Sequence, residues 1–140
     1  MDTLKIRKLH TDAVLPTRAH HDDAGIDLYT YKEVILPPHA TMKIHTGISL
    51  AIPTGFVGLI WDKSSVSSKG IKTVGGVIDA QYRGELIVAL HNLNDETYVC
   101  NKGDKVAQML IQKVEFFPIE EVQELDETDR GVGGFGSTGK

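Results

Sequence analysis

The sequence predicts an all-β chain with a flexible glycine-rich C-terminal arm, and three observations carry that reading. Turn-forming groups recur at short intervals: Pro37-Pro38, Thr46-Gly47, Pro53-Thr54-Gly55, Lys69-Gly70, Gly75-Gly76, Arg83-Gly84, Asn94-Asp95 and Lys102-Gly103. The segments between them are short and rich in Val, Ile and Leu, as expected of antiparallel strands in a barrel or jelly-roll-like sandwich. Five of the nine residues from Gly131 to Gly139 are glycine, a composition that cannot pack a core and is expected to be mobile without a ligand.

Alternation supports individual strands. Ile44, Ile48 and Leu50 fall on one face of a strand, with Lys43, His45 and Ser49 on the other. Leu86, Val88 and Leu90 form a second such row. Lys105 to Phe117 suits either a helix face or a strand, and its β-branched and aromatic residues lean it towards strand. A short helix is expected over Ser64 to Ser68. After Pro118 the character changes to an acidic run, IEEVQELDETD, and then to the glycine-rich RGVGGFGSTGK. The expected organisation is one β-sheet domain over residues 1–118 and a connector with its arm over 119–140.

Composition narrows the class. A chain of 140 residues fits one domain with a real core. Its net charge of −4 and the lack of a Lys/Arg run disfavour a polynucleotide partner, though local donors can still bind a small anion. No apolar run approaches the roughly 18 residues that span a bilayer, so no membrane association is expected. The N-terminal segment MDTLKIRKLHTDAVL has no signal-peptide core, and the expected location is intracellular, cytoplasmic or nuclear. Cys100, the single cysteine, reads as a small half-buried hydrophobe rather than a nucleophile.

Two phosphate-loop patterns occur by letter in the arm. Gly131, Gly133 and Gly136 match G-x-G-x-x-G, and Gly134, Gly139 and Lys140 match the start of a Walker motif. Both need a strand before and a helix after, because the phosphate rests on the helix N-terminus. An acidic run precedes them and no helix is expected to follow, so both are set aside. His20-His21-Asp22-Asp23 lacks metal-ligand spacing and reads as a solvated loop.

Three segments carry candidate chemistry. DKSSVSSKG, from Asp62, offers serines and lysines for a phosphate, or is an ordinary polar loop. GVIDAQYRGEL, Gly76 to Leu86, is either a hairpin with a polar tip or a site with Asp79 as a base beside Tyr82. Strand alternation sets Asp79 and Tyr82 on opposite faces, so a site requires a bend near Ala80-Gln81. In the arm, Arg130, Ser137 and Thr138 offer donors and Phe135 a flat apolar face, all suited to a nucleotide or else a chance feature of a disordered tail.

These segments together resemble the ordered motifs of the trimeric deoxyuridine triphosphatases: AGIDLY from Ala24, DKSSVSSKGI from Asp62, GVIDAQYRGEL from Gly76, GDKVAQML from Gly103 and RGVGGFGSTG from Arg130. The resemblance extends from residue 24 nearly to the end of the sequence. It implies a jelly-roll-like, β-clip subunit of a homotrimer with shared active sites. It implies hydrolysis of dUTP to dUMP and pyrophosphate, which limits uracil entry into DNA and supplies the dTTP precursor. It implies that Asp79 activates water, that Tyr82 stacks under the deoxyribose, and that backbone groups of the hairpin, at Gly76 and Ile78, read uracil. Lys63, Ser64, Ser65 and Gln108 would meet phosphate oxygens. Arg130, Gly136, Ser137 and Thr138 would hold the outer phosphates, with Phe135 over the base. Asp27 would support the phosphate–metal end, and Mg2+ would be held through the substrate phosphates without a direct protein ligand. Lys63 stands where the family usually has Arg, keeping the charge and losing the bidentate fork. The nearest alternative is a deoxycytidine triphosphate deaminase on a related fold. A non-catalytic nucleotide binder and a structural β-sandwich are more distant ones.

Overall fold

The computed structural model describes residues 3–139; Met1, Asp2 and Lys140, with the second arm pattern that needs Lys140, lie outside the described residues. The described residues fold into ten strands and one helical turn: β1 (Lys5–Lys8), β2 (Ile26–Tyr29), β3 (Val34–Leu36), β4 (Thr41–Ala51), β5 (Phe56–Trp61), α1 (Ser64–Ser67), β6 (Ile71–Thr73), β7 (Val77–Ile78), β8 (Glu85–Asn92), β9 (Tyr98–Cys100) and β10 (Lys105–Lys113). One four-stranded sheet runs β1-β4-β8-β6, a second runs β2-β10-β5-β7, and β3 pairs with β9 in a ribbon. All these pairings are antiparallel. The all-β reading and the helical turn at Ser64 therefore hold. No helix among the described residues is long and apolar enough to cross a membrane.

A single core joins the three sheets. β4, β8 and β6 contribute Ile44, Ile48, Leu50, Leu86, Val88, Leu90 and Ile71; β2, β5 and β10 contribute Leu28, Ile60, Val106 and Met109; the ribbon adds Leu36 and Cys100. β8 alternates buried and half-buried along its whole length, as the period of two requires. β4 does not. Between His45 and Ser49 its register against β8 shifts, and Gly47 sits there at φ +70°, where a Cβ would press on Ala13 and Tyr31. Ser49, expected on the exposed face, is consequently buried along with Ile48 and Leu50. The strand expected to Phe117 stops at Lys113, and Phe116 and Phe117 are exposed.

Two polar features tie the loops to this core. Asn92 is fully buried, and its Nδ2 donates to the carbonyls of Leu36, Pro37 and Glu96. Its Oδ1 accepts from the backbone and side-chain amides of Asn94. Glu85 at the start of β8 accepts from the Gly47 amide at 2.9 Å and meets His45 Nδ1 at 2.8 Å, which pins the β4 irregularity. Cys100 is buried, and burial pushes its thiol up to about 11, so it stays protonated and unreactive at neutral pH.

Leu90 has no exposed surface. Leu90→Ala is expected to cost about 2–5 kcal/mol of stability. Urea unfolding followed by tryptophan fluorescence measures it; a loss well under that range would mean the two sheets do not share the packing described.

Candidate functional site

The sequence-predicted residues gather in three places. The first is a cationic cradle at one end of the second sheet. In β10, Gln108 lies opposite Asp27 of β2 on one side and Trp61 of β5 on the other, so one central position brings three motifs together. The Asp27 side chain is almost wholly buried. Lys63 Nζ sits 2.9 Å from its Oδ1 and Lys105 Nζ 2.8 Å from its Oδ2, the latter as an ion pair rather than a directed hydrogen bond. Burial pushes this carboxyl up, but the Lys105 and Lys63 ammoniums together outweigh it and hold it below the usual carboxylate range. Two cations on one anion leave the cradle net positive.

The donors around that charge are arranged by backbone as much as by side chains. Gln108 Nε2 donates to the Asp62 carbonyl at 2.8 Å, and the Gln108 amide fills the space a Cβ on Gly25 would need. Ser64 and Ser65 open α1 with exposed side chains, while Val66 turns inward and anchors the turn. Asp62 itself accepts from the Thr73 amide and hydroxyl, each at 2.7 Å, and pairs with Lys72.

The second place is the hairpin after β7. Its entry is shaped by Gly76 at φ +148°, whose carbonyl accepts the Ile60 amide at 2.9 Å; a Cβ there would collide with the Ile60 side chain. Beyond Ile78 the chain turns at Ala80-Gln81, with the Tyr82 amide bonded to the Asp79 carbonyl at 3.1 Å. The bend that a site requires is thus present. It brings Asp79 and Tyr82 into the wall of one cavity of about 550 Å3, shared with Phe56, Val57 and Phe116. The Tyr82 hydroxyl donates to the Glu85 carbonyl at 2.9 Å, its ring lying where a side chain on Gly84 would otherwise be. Asp79 is exposed in the single chain.

The third place is the arm. Arg130 Nε donates to the Gly133 carbonyl, and further turns close at Gly131, Ser137 and Gly139. Phe135 is fully exposed at φ +48°, and Gly136, Ser137 and Thr138 are exposed beside it. Among the described residues, the arm's hydrogen bonds stay within residues 128–139.

The single chain does not merge these places. β7 and β10 flank β5 on opposite sides, and Ile78 lies opposite Gly58 while Gln108 lies opposite Trp61. Asp79 therefore leaves the sheet about four residues, or about 13 Å, along β5 from the cradle. Sequence reasoning missed the second lysine on Asp27 and the Asp62–Thr73 contact. The first was visible as the basic residue of GDKVAQML; the second depends on a tertiary approach that no local pattern announces.

Cations with free donors at one end of a sheet, a carboxylate and a tyrosine sharing a cavity at the other, and a glycine-rich arm bearing a cation and an aromatic define a protein equipped for an anionic, ring-bearing ligand. The comparisons are more specific. The dUTPase family model matches residues 11–139. A deoxyuridine 5'-triphosphate nucleotidohydrolase of Mycobacterium marinum is 46% identical over 147 residues, covering 99% of this chain and 96% of the relative. One of Clostridioides difficile is 43% identical over 142 residues, covering 99% of each. Among solved structures, the Staphylococcus bacteriophage 80alpha dUTPase with dUpNHpp superposes with a TM-score of 0.93 at 30% identity, covering 100% of both chains. A mutant dUTPase from phage phi11 of S. aureus, solved to reveal coordination of a structural Mg(II) ion, has a TM-score of 0.84 at 31% identity, covering 90% of this chain and all of that one. This chain belongs to the dUTPase family.

The Asp27 cluster has a measurable signature. Because the folded carboxyl lies below its ordinary value of 3.8, the cluster's contribution to stability is fully present above that value and is lost as pH falls through the lowered one. The stability difference between the wild type and Asp27→Asn is expected to be constant near neutrality and to shrink on acidification below about pH 4. Urea midpoints measured across the acid range check it; a pH-independent difference would mean that Asp27 carries no paired charge.

Proposed function

We infer that this chain hydrolyses dUTP to dUMP and pyrophosphate, an activity that limits uracil incorporation into DNA and supplies the dTTP precursor. The observation that carries the reading is the turn at Ala80-Gln81, which brings Asp79 and Tyr82 to one cavity in a chain that matches the dUTPase family over residues 11–139.

In this reading the Asp79 carboxylate takes a proton from water as the water oxygen bonds to the α-phosphorus. The bond from that phosphorus to the bridging oxygen breaks, and pyrophosphate leaves with the electron pair. Tyr82, held by its hydroxyl on Glu85, packs under the deoxyribose and leaves no room for a 2′-hydroxyl. The backbone at Gly76 and Ile78 meets the uracil edge. Lys63, Ser64, Ser65 and Gln108 hold phosphate oxygens, with Asp27 setting the two lysine ammoniums in place. Arg130, Gly136, Ser137 and Thr138 close on the outer phosphates while Phe135 stacks on the base, which excludes bulk water. Residues 1–118 thus form the catalytic body and 119–140 the connector and lid.

The donor set fits a substrate that arrives with its metal. Both oxygens of Asp27 face lysines, and the cradle presents cations and hydroxyls, which suit phosphate oxygens rather than a bare cation. Mg2+ carried on the triphosphate supplies charge neutralisation along the phosphate chain.

The active form is a homotrimer with shared sites. The support is spatial: the cradle and the hairpin lie at opposite ends of β5, and among the described residues the arm makes no hydrogen bond to either within its own chain. Further support is apolar: Phe116, Phe117, Ile119 and Leu125 are all strongly exposed on the segment leaving β10, a run that calls for cover.

Pyrophosphate release should be rapid from dUTP with Mg2+ and slight from UTP, dCTP and dTTP; ammonia release from dCTP would instead mark a deaminase. Asp79→Asn is expected to bind dUpNHpp with near-normal affinity and to lower kcat by about a thousandfold or more. Near-normal turnover in that variant would remove Asp79 from the role of base. Truncation after Asp129 should leave the unfolding midpoint unchanged and cut kcat/KM at least about a hundredfold; unchanged kinetics would refute the lid. Sedimentation of active enzyme as a monomer would defeat the shared-site arrangement.

A further inference from the structure

The turn carrying Lys63, Ser64 and Ser65 has little of its own to hold it. α1 is four residues long, has no side-chain cap at Lys63, and buries only Val66. What precedes it is Asp62, whose environment is unusually complete. The backbone carbonyl accepts Gln108 Nε2 from β10 at 2.8 Å. The carboxylate reaches the other way, to β6, where Oδ1 accepts both the Thr73 amide and the Thr73 hydroxyl at 2.7 Å and Oδ2 pairs with Lys72. One residue is therefore tied to two strands that belong to different sheets, since β10 and β6 are not neighbours. Lys63, the next residue, turns to Asp27 of β2.

From this geometry we propose that Asp62 is a positioning residue for the phosphate cradle. By clamping the chain between β6 and β10 immediately ahead of Lys63, it sets the direction in which the Lys63 ammonium and the two serine hydroxyls are presented. The proposal rests on the reading of the cradle as a triphosphate site. It says more than that reading does, because Asp62 touches no substrate and acts through its neighbours. Burial opposes ionisation of this carboxyl, but Lys72 and the two Thr73 donors hold it below the usual range, so the clamp is charged at neutral pH. An ionised acceptor with three donors makes charge-assisted bonds, roughly twice as strong as neutral ones. Asparagine keeps one acceptor oxygen for Thr73 and gives up the pairing with Lys72; alanine gives up all three contacts.

The test separates phosphate presentation from general damage by comparing two ligands. dUpNHpp carries the triphosphate; deoxyuridine shares its base and sugar and carries no phosphate. In Asp62→Ala, affinity for dUpNHpp is expected to fall about tenfold or more while affinity for deoxyuridine changes less than about twofold. In turnover the loss should fall on KM for dUTP more than on kcat, since the contacts of Asp62 are with Lys72, Thr73 and Gln108 and not with Asp79. Asp62→Asn should recover part of the loss, and Thr73→Val should show a smaller loss of the same kind. Equal losses for both ligands would overturn the proposal in favour of a purely structural role, as would wild-type affinity for dUpNHpp in Asp62→Ala. If the alanine variant does not fold, the asparagine and Thr73→Val variants decide, and unchanged dUpNHpp affinity in both overturns it. A wild type that neither binds dUpNHpp nor hydrolyses dUTP overturns the functional reading as well; a competent wild type matched by its variants overturns only the role of Asp62.

Discussion

The cradle depends on one buried anion. Asp27 sits on β2 where its carboxylate has almost no access to water, and an unpaired charge there would cost several kcal/mol. The remedy is a lysine on each oxygen, one from the loop before α1 and one from the start of β10. Those two lysines come from separate motifs, so the electrostatic need of one carboxylate draws three stretches of sequence to the same end of a sheet. The lysine at position 63 suits this division. An arginine fork would tend to take both oxygens at once, whereas a compact ammonium takes one and leaves the other to Lys105. The departure from the family's usual residue is accommodated by sharing the carboxylate rather than by leaving a charge bare.

The second sheet then acts as a spacer. β5 lies between the strand that carries Gln108 and the strand that leads to Asp79, with those residues at opposite ends. Antiparallel pairing makes that separation rigid, because sliding the register by one residue would turn every core side chain outward. A chain built this way holds the cradle and the hairpin at a fixed distance from one another. In the shared-site arrangement proposed above, a neighbouring copy would bring the cradle and the hairpin together, and the exposed apolar residues after β10 are surface that such a copy would cover.

Much of this was legible in the sequence, and the failures are instructive. The β class, the strand at Leu86 and the helical turn at Ser64 follow from periodicity and turn residues, which act locally. The bend between Asp79 and Tyr82 is required by chemistry and forbidden by alternation; the turn at Ala80-Gln81 resolves the conflict. The burial of Ser49 was missed because the irregularity at Gly47 answers to Glu85, almost forty residues away. The end of β10 at Lys113 was missed because Phe116 and Phe117 look like strand residues wherever they stand, and only the loss of a partner strand stops them from being so. Asn92 reads as one more polar residue at a strand end, yet five hydrogen bonds, one to the end of β3 and four to loops, make it a hub that propensity cannot reveal. At Ser49 and at the end of β10, a local preference is overruled by parts of the chain distant in sequence.

The lone cysteine has a practical consequence. Cys100 lies in the β3–β9 ribbon, shielded from solvent and held as the neutral thiol. A native molecule is therefore chemically silent towards alkylating reagents, and labelling can occur only when the ribbon lifts away from the core. The rate of thiol modification reads the opening frequency of one defined patch without any engineered probe. A ligand that tightens the whole molecule is expected to slow that clock, whereas one that only closes the arm leaves it running.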